Sequence, residues 1–475
     1  MLPESLKRLL IILTLGLLTV SAFFIRTENF INSRLRSVDE IVYFRMGAQV
    51  SRDAFDYNTI GYGRDLSALG RPLPGYFFLP LYKHPPLFTF LVALSMKAFE
   101  PTMLAAGFVS LLLGSLMVPL VYALAVMLFD RKTALLSALL MWLDPVMVIS
   151  SQKIWLDMTI AFFMTLGVVI FYLAAQKKRD KLFIASGIAV GMAVLTKYTG
   201  ILAWAVILPY AFIYEKGLFR NKSFLWSLAL PFIMLVPWMI WNWEVYGVDF
   251  LKVQMNIHDD MSLLQLAASL ALPLFFFSIA AWVLFRLIKR LGIKLSPPSS
   301  SEEVSAAEPL FRRALVVAIG VLLLFLIRKE VIGALDISSL PRTSWRLFEF
   351  LDEPAWFYFA RLVEFSLFYL FAFASFFTSQ KDKRVHFLQI GALLILLFFM
   401  AWGNYQSRYI LGAVPFLIVL ASRMVFFLYE RLGRVAQPAL RCVLLAGVSA
   451  FCAYALFKTL IINVLVSFPN DLCYF

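Results

Sequence analysis

Runs of about twenty apolar residues recur along most of this chain, and no other feature limits its possible folds as strongly. Inside a bilayer such a run must satisfy its own backbone hydrogen bonds, which a helix does. The runs fall near 8–25, 103–128, 133–151, 158–175, 182–196, 200–214, 223–242, 263–286, 313–328, 356–378, 385–402, 408–428 and 442–464. They predict thirteen helices and an all-α polytopic membrane protein. Composition agrees: 15% of the 475 residues are charged, where soluble domains carry about 25%. The first run follows Lys7 and Arg8 without a small-residue cleavage site, so it is expected to remain as a helix rather than leave as a signal peptide.

The net charge of +14 raises the question of nucleic acid, and its placement answers it. The basic residues sit in short clusters between apolar runs, with no basic stripe or recognition motif, so nucleic acid is excluded as a partner. Every second connection is basic: Arg131/Lys132, Lys177 to Lys181, Lys216 to Lys222, Arg286 to Lys294, Lys381 to Arg384, and Arg431/Arg434. That alternation puts the N-terminus in the cytoplasm and the C-terminus outside. It also favours two short helices over one long one in 182–214, with a turn at Lys197. Cys442, Cys452 and Cys473 offer neither a disulfide framework nor a zinc spacing.

The chain reads as a single transmembrane domain, 1–475, without a soluble C-terminal domain. Three connections stand out. Residues 26–102 form a long external loop with an amphipathic end at "PPLFTFLVALSMKAF", and loops of that length are usually functional. Residues 296–309 are a Pro/Ser/Glu-rich cytoplasmic linker, expected to be disordered. Residues 329–355 form a second external loop.

Several polar groups converge on the external face. Asp39 and Glu40 directly follow the first helix, flanked by Arg36 and Arg45. They read either as a solvated, arginine-paired interfacial loop or as a catalytic pair, since partial desolvation makes a carboxylate a better base. Lys83 and His84 precede Pro85 and Pro86 at a helix start, as an anion site or as a lysine reaching for lipid headgroups. Asp157 opens a helix, as a cap or as a site carboxylate. Lys197 and Tyr198 occupy an external turn; Arg408 and Tyr409 sit at the end of a late helix; Asn242 lies among Trp238, Trp241 and Trp243, which also suit an aromatic belt. Separate bland explanations do not predict that all of these share one face.

With those residues in view, the chain resembles the GT-C lipid-linked-sugar glycosyltransferases, in particular the protein O-mannosyltransferase and lipid A aminoarabinose transferase superfamily. The matching motifs are "DEIVY" (Asp39 to Tyr43), "HPPL" (His84 to Leu87), Asp157 after a Ser-rich turn, and Gly187, Gly191, Thr196 and Lys197. Pro237, Trp238 and Asn242 follow, then Arg408, Tyr409 and Pro415. Where the aminoarabinose transferases have Glu-Lys before the two prolines, this chain has Lys83 and His84. No D-x-D occurs. No metal or other cofactor is therefore expected.

The resemblance implies a polyprenyl-phosphate sugar as donor and a glycan, lipid or protein hydroxyl as acceptor. It implies inverting transfer on the periplasmic side of a bacterial inner membrane. In that frame Asp39 is the expected base, Asp157 the second candidate, and Glu40 orients the acceptor. Lys83, His84, Lys197 and Arg408 would hold the donor phosphate, and Tyr43, Tyr198, Asn242 and Tyr409 would contact substrate. Two other classes share the composition. A transporter or flippase of lipid-linked saccharides tends to show two-fold repeats, which are not evident here. An O-antigen ligase or polymerase tends to carry its main external loop late in the chain, whereas here the first is the longest.

Overall fold

The computed structural model of the chain describes residues 3–33, 36–68, 70, 73, 75–250, 356–378, 382–402 and 406–467. Among these residues every regular element is helical. The expected helices 263–286 and 313–328, the linker 296–309 and the loop 329–355 lie outside them.

The first apolar run becomes α1 (Glu4–Asn32). It continues beyond residue 26, where a loop was expected to start, because Arg26 turns into the bundle and is 1% exposed. The long connection is itself mostly helical: α2 (Val38–Arg52), α3 (Ile60–Ala68) and α4 (Leu87–Phe99). α2 begins in a capping box, with Ser37 Oγ accepting from the Glu40 amide and the Glu40 carboxylate accepting from the Ser37 amide at 2.8 Å. α4 starts directly after Pro85 and Pro86, which have no amide hydrogens to leave unsatisfied at a helix start.

The spans follow. α5 (Met103–Leu128), α6 (Arg131–Leu143) and α7 (Pro145–Ser151) are capped by Thr102, Asp130 and Asp144. α6 and α7 meet at a 53° bend. Next come α8 (Leu156–Lys177) and α9 (Asp180–Thr196). A 3₁₀ segment, Tyr198–Ala203, then leads into α10 (Trp204–Tyr214), and α11 (Lys222–Tyr246) follows. The stretch 182–214 is thus two helices broken at Lys197. Beyond residue 355 stand α12 (Phe357–Phe365), α13 (Phe368–Ala374), α14 (Lys383–Trp402), α15 (Val414–Leu432) and α16 (Pro438–Ile462).

Among the described residues, six helices are long and apolar enough to cross a membrane: α1, α5, α8, α11, α14 and α16. The bent pair α6/α7 makes a possible seventh. The architecture is therefore an all-helical multi-span bundle, and the count of thirteen crossings is not established. α8 and α14 lie at its centre, with 72% of their most apolar stretch buried, against 6% for α1 and α16. Since lipid is as apolar as leucine, close backbone approach rather than hydrophobicity drives such helices together. Gly187 allows it between α9 and α11, where an added Cβ would stand 2.6 Å from the backbone of Ser227.

A polar cluster fixes the α6/α7 bend. Asp144 accepts from the Met147 amide at 3.0 Å and from the Tyr369 hydroxyl at 2.6 Å. Arg26 donates to the Trp142 carbonyl at 3.3 Å, and Asn463 to the Leu143 carbonyl at 2.5 Å. Two of the carbonyls freed where α6 stops are thereby satisfied, as a break within a span requires. The bend carries the chain to the connector 152–155, which leads into the site.

Candidate active site

Four separate segments bring one charged side chain each to the same end of the bundle. Asp39 lies in the first turn of α2, Asp157 in the first turn of α8, Lys197 at the break after α9, and Arg408 in the 3₁₀ segment Ser407–Gly412. Arg408 bridges the two carboxylates: Nη1 is 2.8 Å from Asp39 Oδ2, and Nε is 3.8 Å from Asp157 Oδ2. Lys197 Nζ is 3.7 Å from Asp157 Oδ1. Asp39 keeps 42% of its side chain exposed and Asp157 only 8%. Asp39 thus stays open to solvent, while Asp157 is largely buried at the cleft.

Aromatic rings position the cations. The Arg408 guanidinium lies 4.4 Å from the centre of the Trp155 ring, and Lys197 Nζ lies 4.6 Å from that of Tyr409. Gln406 accepts from Arg408 Nε at 2.7 Å. Burial lowers the Lys197 pKa while Asp157 opposes the shift.

The segment before α4 completes the wall. Tyr43 stands one turn after Asp39 on the same side of α2, and its hydroxyl pairs with His84 Nδ1 at 2.7 Å. Loss of solvation, together with the positive charges of Lys197, Lys83 and Arg408, pushes the His84 pKa well below 6.5. His84 is therefore neutral at pH 7. His84 thus lies within electrostatic reach of the other three residues expected to hold phosphate.

A narrow cleft opens from these charges. Asp157, Lys197, Arg408 and Tyr409 form its polar end, and Ile160, Met164, Leu202, Ile395, Phe399 and Leu411 carry it between the helices as an apolar slot. A charged head and an apolar throat suit an amphiphile with an anionic headgroup.

Other expected residues lie elsewhere. Glu40 is fully buried and turned away from the cleft, held by Ser37, by Arg36 at 3.3 Å and by Lys153 at 3.8 Å. Successive helical residues point about 100° apart, so Asp39 reaches Arg408 while Glu40 turns into the core. Tyr198 accepts from Trp238 Nε1 at 2.8 Å, and Asn242 donates to the Trp238 carbonyl inside α11. Trp155 was not expected at the site. Nothing local marks it, since its partners Ser37 and Arg408 are distant in sequence. The Glu40 capping box, in contrast, is legible as S-x-x-E. Among the described residues no three His, Cys, Asp or Glu side chains come together to hold a metal.

Comparison with known proteins follows the same lines. Residues 83–241, which is 159 of 475, match the family model described as dolichyl-phosphate-mannose-protein mannosyltransferase. An uncharacterised protein of Aquifex aeolicus (strain VF5) is 29% identical over 189 residues, 38% of either chain. ArnT from Cupriavidus metallidurans in the apo state superposes with a TM-score of 0.54 at 16% identity, over 96% of this chain and 73% of ArnT. The same ArnT bound to undecaprenyl phosphate gives 0.52 at 17% identity, over 96% and 67%. The Archaeoglobus fulgidus oligosaccharyltransferase tethered with an acceptor peptide gives 0.54 at 16% identity, over 97% and 55%. The chain thus spans little more than half of that archaeal enzyme's length. Residues 83–241 thus match the protein mannosyltransferase family model, on a fold shared with ArnT and the archaeal oligosaccharyltransferase.

Proposed function

We propose that the chain is an inverting glycosyltransferase that moves a sugar from a polyprenyl-phosphate donor to an acceptor hydroxyl on the external face. The observation that carries this reading is Arg408 bridging Asp39 and Asp157 at the head of an apolar cleft. The cleft takes the first isoprene units, and Arg408, Lys197 and Lys83 take the phosphate. The C. metallidurans relative binds undecaprenyl phosphate and the archaeal one has been seen with a dolichol-phosphate, which supports this class of lipid. The alternating basic connections support the external face.

The step balances without a cofactor. Asp39, the more exposed carboxylate, accepts the proton of the acceptor hydroxyl, and the freed oxygen bonds to the anomeric carbon. The bond from that carbon to the phosphate oxygen breaks, and its electron pair leaves with the phosphate. Arg408 and Lys197 neutralise the charge that develops there. Asp157 holds both cations in place, and a single displacement inverts the anomeric centre. Glu40 anchors the α2 start instead of binding the acceptor. No step is routed through a metal.

Native mass spectrometry of the detergent-purified protein tests the donor class. Undecaprenyl phosphate is expected to stay bound where the matching alcohol, lacking phosphate, does not. Lys197→Met should weaken retention about 10-fold, the loss of one charge-assisted hydrogen bond. Equal retention of both lipids contradicts the reading.

A further inference from the structure

We infer that Trp155 is a positioning residue that holds the acceptor base and the phosphate-binding arginine in one frame; this rests on the glycosyl-transfer reading above. Trp155 is 2% exposed and occupies the connector between α7 and α8. Its indole N–H donates to Ser37 Oγ at 3.1 Å, and Ser37 caps the helix whose first turn carries Asp39. Its ring face supports the Arg408 guanidinium at 4.4 Å. Its own carbonyl accepts from Ser110 on α5 at 3.2 Å, tying the connector to the bundle.

The connector grips the start of α2 a second time through the buried pair Lys153 and Glu40 at 3.8 Å. Two residues after Trp155 comes Asp157, the other carboxylate on Arg408. One short stretch thus sets three positions: Asp39 through Ser37 and Glu40, Arg408 through the ring, and Asp157 directly. The indole is suited to both of its contacts, because it offers a broad π face and a donor at its edge. Phenylalanine keeps the face and loses the donor. The two functions of the residue can therefore be separated.

The separation gives the test. In the full-length protein, Trp155→Phe should leave the KM for the polyprenyl-phosphate sugar within about 3-fold and lower kcat about 10- to 100-fold, as expected for a displaced base. Trp155→Leu, which also removes the face under Arg408, should raise KM as well. Ser37→Ala removes the same bond and the α2 cap with it, so it should lose at least as much kcat as Trp155→Phe, and the double variant should be no worse than Ser37→Ala alone. A merely structural tryptophan would lower the thermal midpoint while leaving kcat per folded molecule unchanged. That result, or losses in the two single variants that multiply, overturns the positioning role and leaves the glycosyl-transfer reading intact. A wild type that turns over no polyprenyl-phosphate sugar overturns that reading and the role with it.

Discussion

Two carboxylates of this chain sit with a nearby arginine, and their surroundings are opposite. Asp144 is 3% exposed, and its oxygens accept from a tyrosine hydroxyl at 2.6 Å and a backbone amide at 3.0 Å. Asp39 is open on one side, and its described ion pair is to an arginine shared with a second carboxylate. Around Asp144 the protein supplies short bonds at a buried position, so the group is spent on holding the α6/α7 bend. Around Arg408 and Lys197 two contacts stretch to 3.7 and 3.8 Å beside a cleft, so the cations still have capacity for an anion. Buried polar groups that are fully satisfied specify structure, and loosely paired ones at a cleft are where ligands bind.

The largest expected effect falls on the open side. Arg408→Ala should reduce transfer about 10²- to 10³-fold, as removal of a preorganised charge-stabilising donor does, while the thermal midpoint in detergent stays near wild type. If the variant instead unfolds and the folded fraction is fully active, Arg408 is structural and the contrast collapses. Asp144→Ala sharpens the contrast from the other side. It leaves Tyr369 and the α7 amides without their acceptor, and should cost about 3 kcal/mol of stability, read as a lower thermal midpoint. The molecules that remain folded should retain undecaprenyl phosphate as wild type does.

A smaller effect separates the two regions by pH. His84 is held neutral by lost solvation and three nearby cations, so its folded pKa lies below the unfolded value of 6.5. As pH falls through 6.5 the unfolded chain gains a proton that the folded site refuses. Stability therefore declines on acidification, and the decline ends only at the folded pKa. His84→Asn should flatten that part of the stability profile between pH 7 and 5. An unchanged slope would mean that the imidazole is not under the field of Lys197, Lys83 and Arg408.

Legibility in the sequence followed the range of the interactions. Helix positions were readable because an apolar run reports its own environment, and the break at Lys197 was readable from the charge of the flanking connections. Asp39, His84, Lys197 and Arg408 stand out in the sequence because each lies in a short motif beside a helix end. Arg26 reads in the sequence as the edge of a loop, because its partner carbonyl at Trp142 is 116 residues away. Tyr369 and Asp144 are 225 residues apart, and neither carries a local sign of the other. Adjacency pairs Glu40 with Asp39 in the sequence, yet the helical rotation between neighbours sends one to Arg408 and the other to the core. The bend at Asp144 was missed for a related reason: hydropathy does not register a polar residue whose neighbours satisfy it.

The central claim is that Asp39 and Arg408 form the reacting end of a glycosyl-transfer site. Purified wild-type protein incubated with a panel of labelled polyprenyl-phosphate sugars should release free polyprenyl phosphate when acceptor is present. Asp39→Asn, nearly the same shape but unable to take the acceptor proton, should release it about 10²- to 10⁴-fold more slowly. Undiminished release by Asp39→Asn would remove that carboxylate from the role of base and contradict the account.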